Sequence, residues 1–214
     1  PLYRSLLLSL LRAEEADISD LYRRSGEWLL ESGDIPAALE AFSRAGREED
    51  SLRILDVFEE SGGAALFLAP DRIPAFVHAI PWETRLRRPI GYLAFAAAQL
   101  ALLPEDRGTR LCDEAETRIS LSSLPEPEKQ RYLGEVAAMR SLSPHIGLED
   151  ILAWRRKAYR KLRGPSSLAR EAVWWSGAPH PGIRFVRSTG GYVQTVEKLE
   201  KGFPVFSRAM HGCC

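Results

Sequence analysis

The sequence predicts an all-α fold in which antiparallel helical hairpins stack into a solenoid, with an irregular C-terminal part. Three observations carry that prediction. Apolar residues recur at helical spacing through most of the chain. No segment alternates apolar and polar residues long enough to read as a half-buried strand. Many of the 16 Gly and 14 Pro fall between the periodic segments, where such residues stop or start helices.

Residues 2–13 place Leu2, Leu6 and Leu10, with Leu7 and Leu11, on one side of a helix. Asp17, Ser19 and Asp20 offer capping oxygens before a helix over about 21–32, which Gly33 stops by taking the left-handed conformation a helix end favours. Asp34 caps the next helix and Pro36 suits its first turn, where no amide donor is needed. That helix runs to Ala45 and ends at Gly46, and so short a link predicts an antiparallel hairpin. A helix over 48–60 follows, apolar at Leu52, Ile54, Leu55 and Phe58 and closed by Gly62-Gly63. A shorter one spans 73–80 between Pro70 and Pro81. The segment 89–103 is apolar nearly all round and is expected at the centre of the core. Helices over 107–121 and 126–142 form a second hairpin across Leu124-Pro125-Glu126-Pro127, and a strong helix spans 148–162. Beyond Gly164-Pro165 the pattern loosens. A helical stretch is expected over 166–175, a loop over 177–182, a short extended piece over 183–186 and a last helix over 192–201.

The segment 22–45 has the pattern of a tetratricopeptide unit. Gly26 stands where two helices approach, and Ala38, Phe42 and Ala45 follow as small, large and small positions on the second helix. Tyr22 and Leu29 occupy places that the pattern usually gives to Trp and Tyr. A small residue on one helix then receives a large one from its partner. No clean second copy appears 34 residues on.

Composition narrows the function. Hydrophobic residues make up 45% and charged residues 27%, ordinary values for a folded chain. Lys+Arg and Asp+Glu are equal at 29 each, so no overall field draws the chain to nucleic acid or an anionic membrane. The three cysteines, Cys112, Cys213 and Cys214, form no CxxC pair or disulfide framework, which fits a reducing cytoplasm. The leucine-rich start passes into Arg12-Ala13-Glu14-Glu15 without a small-residue cleavage site, and the run 92–103 falls short of the ~20 residues that span a bilayer. No membrane contact is expected.

The opening Pro1-Leu2-Tyr3-Arg4-Ser5-Leu6-Leu7, with Leu21-Tyr22-Arg23-Arg24-Ser25-Gly26-Glu27-Trp28, resembles a junction in the large ATP-dependent LuxR-type (MalT-like) transcriptional regulators. Gly33-Asp34-Ile35-Pro36-Ala37-Ala38-Leu39-Glu40, Ala45-Gly46-Arg47, and Ile80-Pro81-Trp82-Glu83 with Arg87-Arg88-Pro89 continue the likeness over about residues 1–103. The resemblance implies a nucleotide-binding switch module upstream, a helix-turn-helix DNA reader downstream and a helical sensor between them. It implies that residues 1–16 are a helix trailing from a preceding winged-helix region. On this reading 17–164 form the helical repeat domain and 165–214 its looser, truncated continuation. The start at Pro1 and the stop at Cys214 fit the expectation of a piece of a longer polypeptide. The 214 residues contain no GxxxxGK[ST] phosphate loop, and no cofactor is expected in them.

No catalytic constellation is legible. His78, His145, His180 and His211 are scattered, none at HExxH spacing, so no metal site is expected, and Cys112 reads as a small core residue. An enzyme such as a small helical hydrolase is a distant third reading. Two features suggest contact with a ligand or partner. From Trp154 the chain runs into six basic residues within 155–163; Trp154, Arg155 and Tyr159 are candidates for anion contact and stacking. The plain alternative is a helix with Leu152, Tyr159 and Leu162 inward and its charges in water. The second feature is Trp174-Trp175 beside the proline-fixed loop that carries His180, where core filling by the two Trp is the plain alternative. The expected role is a sensing and interaction domain, not an enzyme. It would bind a small-molecule inducer or protein partner and contact neighbouring modules of the same polypeptide. It would touch no nucleic acid directly, and self-association is open. The alternative is a free-standing helical-repeat adaptor that binds peptides or proteins.

Overall fold

The computed structural model describes residues 17–162 and 164–168. The expected helix over 2–13, the looser segment beyond 168 and the candidates Trp174, Trp175 and His180 lie outside the described residues. Within those residues the fold is all-α, with no strand.

Helix α1, Ile18–Glu31, begins three residues before the expected start because Asp17 caps it, its carboxylate accepting from the Asp20 amide at 3.1 Å. Three link residues lead to α2, Ile35–Ala45, where the Asp34 carboxylate accepts from the Ala37 amide and Gly46 closes the helix in the left-handed region (φ 74°). The hairpin is antiparallel: the Ser19 hydroxyl, at the start of α1, donates to the carbonyl of Ala45, at the end of α2, at 2.8 Å. Gly26 permits the close approach. A Cβ placed there would lie 2.6 Å from the Phe42 ring, so the glycine and the phenyl ring fill one space. Ala38, Phe42 and Ala45 are all buried, as the small–large–small pattern requires.

Helix α3, Glu48–Glu60, turns at Gly62-Gly63 into a 3-10 segment, Ala64–Leu68, that seats Leu66 in the core. Helix α4, Ile73–His78, and the four-residue α5, Trp82–Arg85, follow. The 3-10 segment and α5 have no counterpart among the expected helices, being too short to show a helical period. Helix α6, Pro89–Leu100, is buried at every one of its 12 positions and forms the centre of the core, packed beside Phe42, Ile54, Leu55 and Phe58. It stops three residues before the expected end. Pro104 disfavours the helical conformation for the residue before it, and Leu102 is left 48% exposed.

Helices α7, Glu105–Leu121, α8, Glu126–Arg140, and α9, Leu148–Leu162, complete the described chain. Lys129, early in α8, donates to the Ser120 carbonyl late in α7, and Lys161, near the end of α9, donates to Gln130 early in α8 while Arg140, the last residue of α8, lies over Trp154 in the first half of α9; both pairs are therefore antiparallel. The chain past α9 is anchored at the fully buried Glu135, whose carboxylate accepts from the Ser166 hydroxyl and, at 2.7 Å, from the Ser167 amide.

Helix α6 comes close to α3 through Gly91. A Cβ there would sit 2.2 Å from the Leu55 carbonyl oxygen, a backbone atom with no room to yield. Gly91→Ala is expected to destabilise by about 1–3 kcal/mol despite alanine's better helix propensity. A urea melt showing equal or greater stability would contradict this close packing.

Candidate functional site

The basic stretch on α9 is less free than its sequence suggests. Ile151, Leu152, Arg155 and Ala158 are buried, while Tyr159 is 40% exposed. The charge at 155 lies inside, and the ring at 159, which the plain alternative turned inward, lies outside. Burial pushes the Arg155 guanidinium down to about 10, still charged near neutral pH, and leaves the side chain little surface for a ligand. Trp154 is half-buried between two cations, with the Arg140 guanidinium 4.9 Å and the Lys157 ammonium 4.7 Å from its ring centroid.

Those cations are tied to α7. Arg140 pairs with Asp113 at 2.5 Å and with Glu116 at 3.0 Å, and Lys157 reaches the other Glu116 oxygen at 3.0 Å. Burial would raise the Glu116 carboxyl, but the hydrogen bond and charge of Lys157 and the nearby Arg140 outweigh it and hold the group below the usual carboxylate range. Trp154 therefore belongs to a network joining three helices. Of the described basic run, Arg156 and Arg160 are exposed, beside the partly exposed Tyr159.

A better-built locus lies on α5, outside the sequence candidates. Arg85 is buried, donating from Nε to the Ile80 carbonyl and from a terminal nitrogen to the His78 carbonyl, both at 2.8 Å. Its guanidinium lies 4.7 Å from the Trp82 ring centroid and 5.1 Å from that of Tyr92. Trp82 donates its indole N–H to Glu114 on α7 at 2.9 Å, and the Arg118 guanidinium lies 5.7 Å from the same ring. Burial pushes the Tyr92 phenol up to about 12, so it stays protonated.

This cluster fixes one wall of an open groove of about 380 Å³ between α5 and the end of α7, lined by Trp82, Leu86, Arg87, Arg118, Leu121 and Leu124. Leu121 is 80% exposed on its rim. The leucines offer an apolar surface, with Arg87, Arg118 and the opposing carboxylate of Glu83 around it. The readable signal was a tryptophan after proline with arginine three residues on, Pro81-Trp82 and Arg85, one helical turn that stacks a guanidinium on an indole.

His78 borders the cluster, its Nε2 3.2 Å from Gln99 Nε2 and its ring edge-on to Phe95 at 5.6 Å. Desolvation, then the charge of Arg85, holds its pKa below the usual value, with Glu114 acting the other way. Below about pH 6.5 the unfolded chain takes up this proton more readily than the folded one. The stability that the neutral ring contributes is thus present above that pH and lost as pH falls toward the folded pKa. Between about pH 7.5 and about pH 5.5, His78→Gln should lose less stability than the parent chain, by a modest margin because the ring keeps contact with solvent. Equal losses in urea melts would contradict the shift.

Other chemistry is sparse. Burial pushes the Cys112 thiol up to about 11, so it remains a thiol at neutral pH and a poor nucleophile. Among the described residues no group of three or more His, Cys, Asp or Glu is placed to hold a metal ion. Nor, among them, is any helix long and apolar enough to cross a membrane. Among the described residues the fold is all-α, with this open groove beside the Trp82–Arg85 pair. Comparison with known proteins carries the identification no further: no family model matches the chain, and no curated protein or solved structure matches it.

Proposed function

We propose that this chain is a ligand-sensing and protein-interaction domain, built of tetratricopeptide-like repeats, from a LuxR-family transcriptional regulator. It relays the binding of an inducer or partner to ATPase and DNA-binding modules elsewhere in the polypeptide. It acts by binding, not by turnover, and in the cytoplasm. The observation that carries the reading is the α1–α2 hairpin. There Gly26 receives Phe42 within the 22–45 pattern, inside the same residues that resemble the regulators' junction. A helical array suits a relay because a ligand that favours one arrangement of its units shifts how adjoining modules dock.

The Trp82–Leu121 groove supports a second reading, a free-standing adaptor. Its exposed leucine rim and arginines fit one side chain of a protein or peptide partner better than an enclosed small molecule. The complete reading frame separates the two. The regulator reading expects a GxxxxGK[ST] loop between a strand and a helix upstream, and a helix-turn-helix downstream. A frame with neither sinks that reading and leaves the adaptor.

A further inference from the structure

Glu135 of α8 is fully buried, a rare place for a carboxylate that has no cation beside it. Among the described residues no Lys, Arg or His pairs with it, and its hydrogen-bond donors, the Ser166 hydroxyl and the Ser167 amide, are both neutral. Arg131, one turn earlier on α8, donates at 3.3 Å to the Ser167 hydroxyl and not to the carboxylate.

Both donors belong to the short segment 164–168 that follows α9. Pro165 is exposed and has no amide to donate. The Ser166 hydroxyl donates to Glu135 while its oxygen accepts from the Leu168 amide at 3.1 Å. Leu168 is 3% exposed and shares the main core with Val136 and Met139 of α8. Three consecutive residues therefore seat this segment.

Opposing effects act on the seat. Hydrogen bonds to a charged acceptor and the burial of Leu168 hold the segment down. Against them, docking strips water from a carboxylate that no cation compensates, and it orders a chain that would otherwise be free. A short element held by so few contacts, over a bare buried charge, opens at lower cost than the helices beneath it.

We propose that residues 164–168 form a releasable strap, seated on α8 by Glu135 and Leu168, that opens and closes while the helical core stays folded. A partner that takes the freed Ser166–Leu168 segment, or the uncovered carboxylate, shifts the strap toward its open form. The device serves a sensor and an adaptor equally and depends on neither reading.

Amide hydrogen exchange in the 214-residue chain, read residue by residue by NMR, tests the strap. The Ser167 amide should exchange at least about tenfold more slowly than in an unstructured peptide, yet at least about a hundredfold faster than the amides of Leu93 and Phe95 in α6. Exchange as fast as in an unstructured peptide would overturn the proposal, since the segment would not be seated. Exchange as slow as in α6 would overturn it too, for the strap would then open only with the whole fold. Phe42→Leu, a change on α2 that weakens the core, should quicken exchange at Leu93 and Phe95 and leave the Ser167 rate unchanged; a parallel rise at Ser167 would contradict independent opening. Ser166→Ala leaves one Glu135 oxygen buried without its donor and should quicken exchange at Ser167 at least about tenfold. An unchanged Ser167 rate in that variant would overturn the part given to Glu135.

Discussion

Replacing Phe42 by alanine is expected to destabilise the protein by about 3–5 kcal/mol, the range for removing a fully buried ring that its surroundings cannot refill. Phe42 is 1% exposed, and its ring occupies the space that Gly26 leaves open on α1. Its loss therefore empties the contact that orients one helix on the other. The complementary change, Gly26→Ala, puts a methyl group 2.6 Å from that ring and should cost about 1–3 kcal/mol by overpacking. Because both changes act on one volume, Gly26→Ala with Phe42→Leu should be less destabilising than the sum of the singles, by about 0.5–3 kcal/mol. Strict additivity in denaturant melts would show that the glycine and the ring do not share a space.

Arg85→Met should cost about 2–5 kcal/mol, although it keeps an unbranched chain of similar length. The substitution strands the buried Ile80 carbonyl, and the part-buried His78 carbonyl, without their donors, and a buried unpaired group costs about 1–3 kcal/mol. It also removes the cation stacked on Trp82 and Tyr92, and so loosens the indole that walls the groove. Arg85→Lys keeps the charge but not the planar fork that donates in two directions while lying flat on a ring, so it should recover only part of the loss. Full recovery by lysine would mean that charge alone holds this corner.

The long helices were legible because several local rules agreed at each end. For α2, an Asp cap, a first-turn proline and a closing glycine bracket an apolar period, and the structure places its ends within a residue of the expectation. Helices α3 and α9 also begin and end where expected. The wholly apolar character of α6 gave its place at the centre, though not its end, which the following proline decides. The candidate site was read less well. A side chain's direction on a basic helix depends on which neighbour it meets. The sequence of α9 does not say that α8 and α7 bring Ala137, Ala138, Arg140 and Glu116 against it. Arg155 therefore lies inside and Tyr159 outside, against the pattern that amphipathicity favours. The Trp82 cluster joins residues from α5, α6 and α7 through a helix of four residues, and no periodicity announces such a corner.

Nucleotide binding by the complete gene product tests the central reading most directly, with the 214-residue chain measured beside it. In a calorimetric titration with Mg-ATP the account predicts binding by the complete polypeptide through a phosphate loop outside these residues. The 214-residue chain, which contains no GxxxxGK[ST] sequence, should show no binding. A complete polypeptide that binds no nucleotide would contradict it and leave the peptide-binding adaptor in its place.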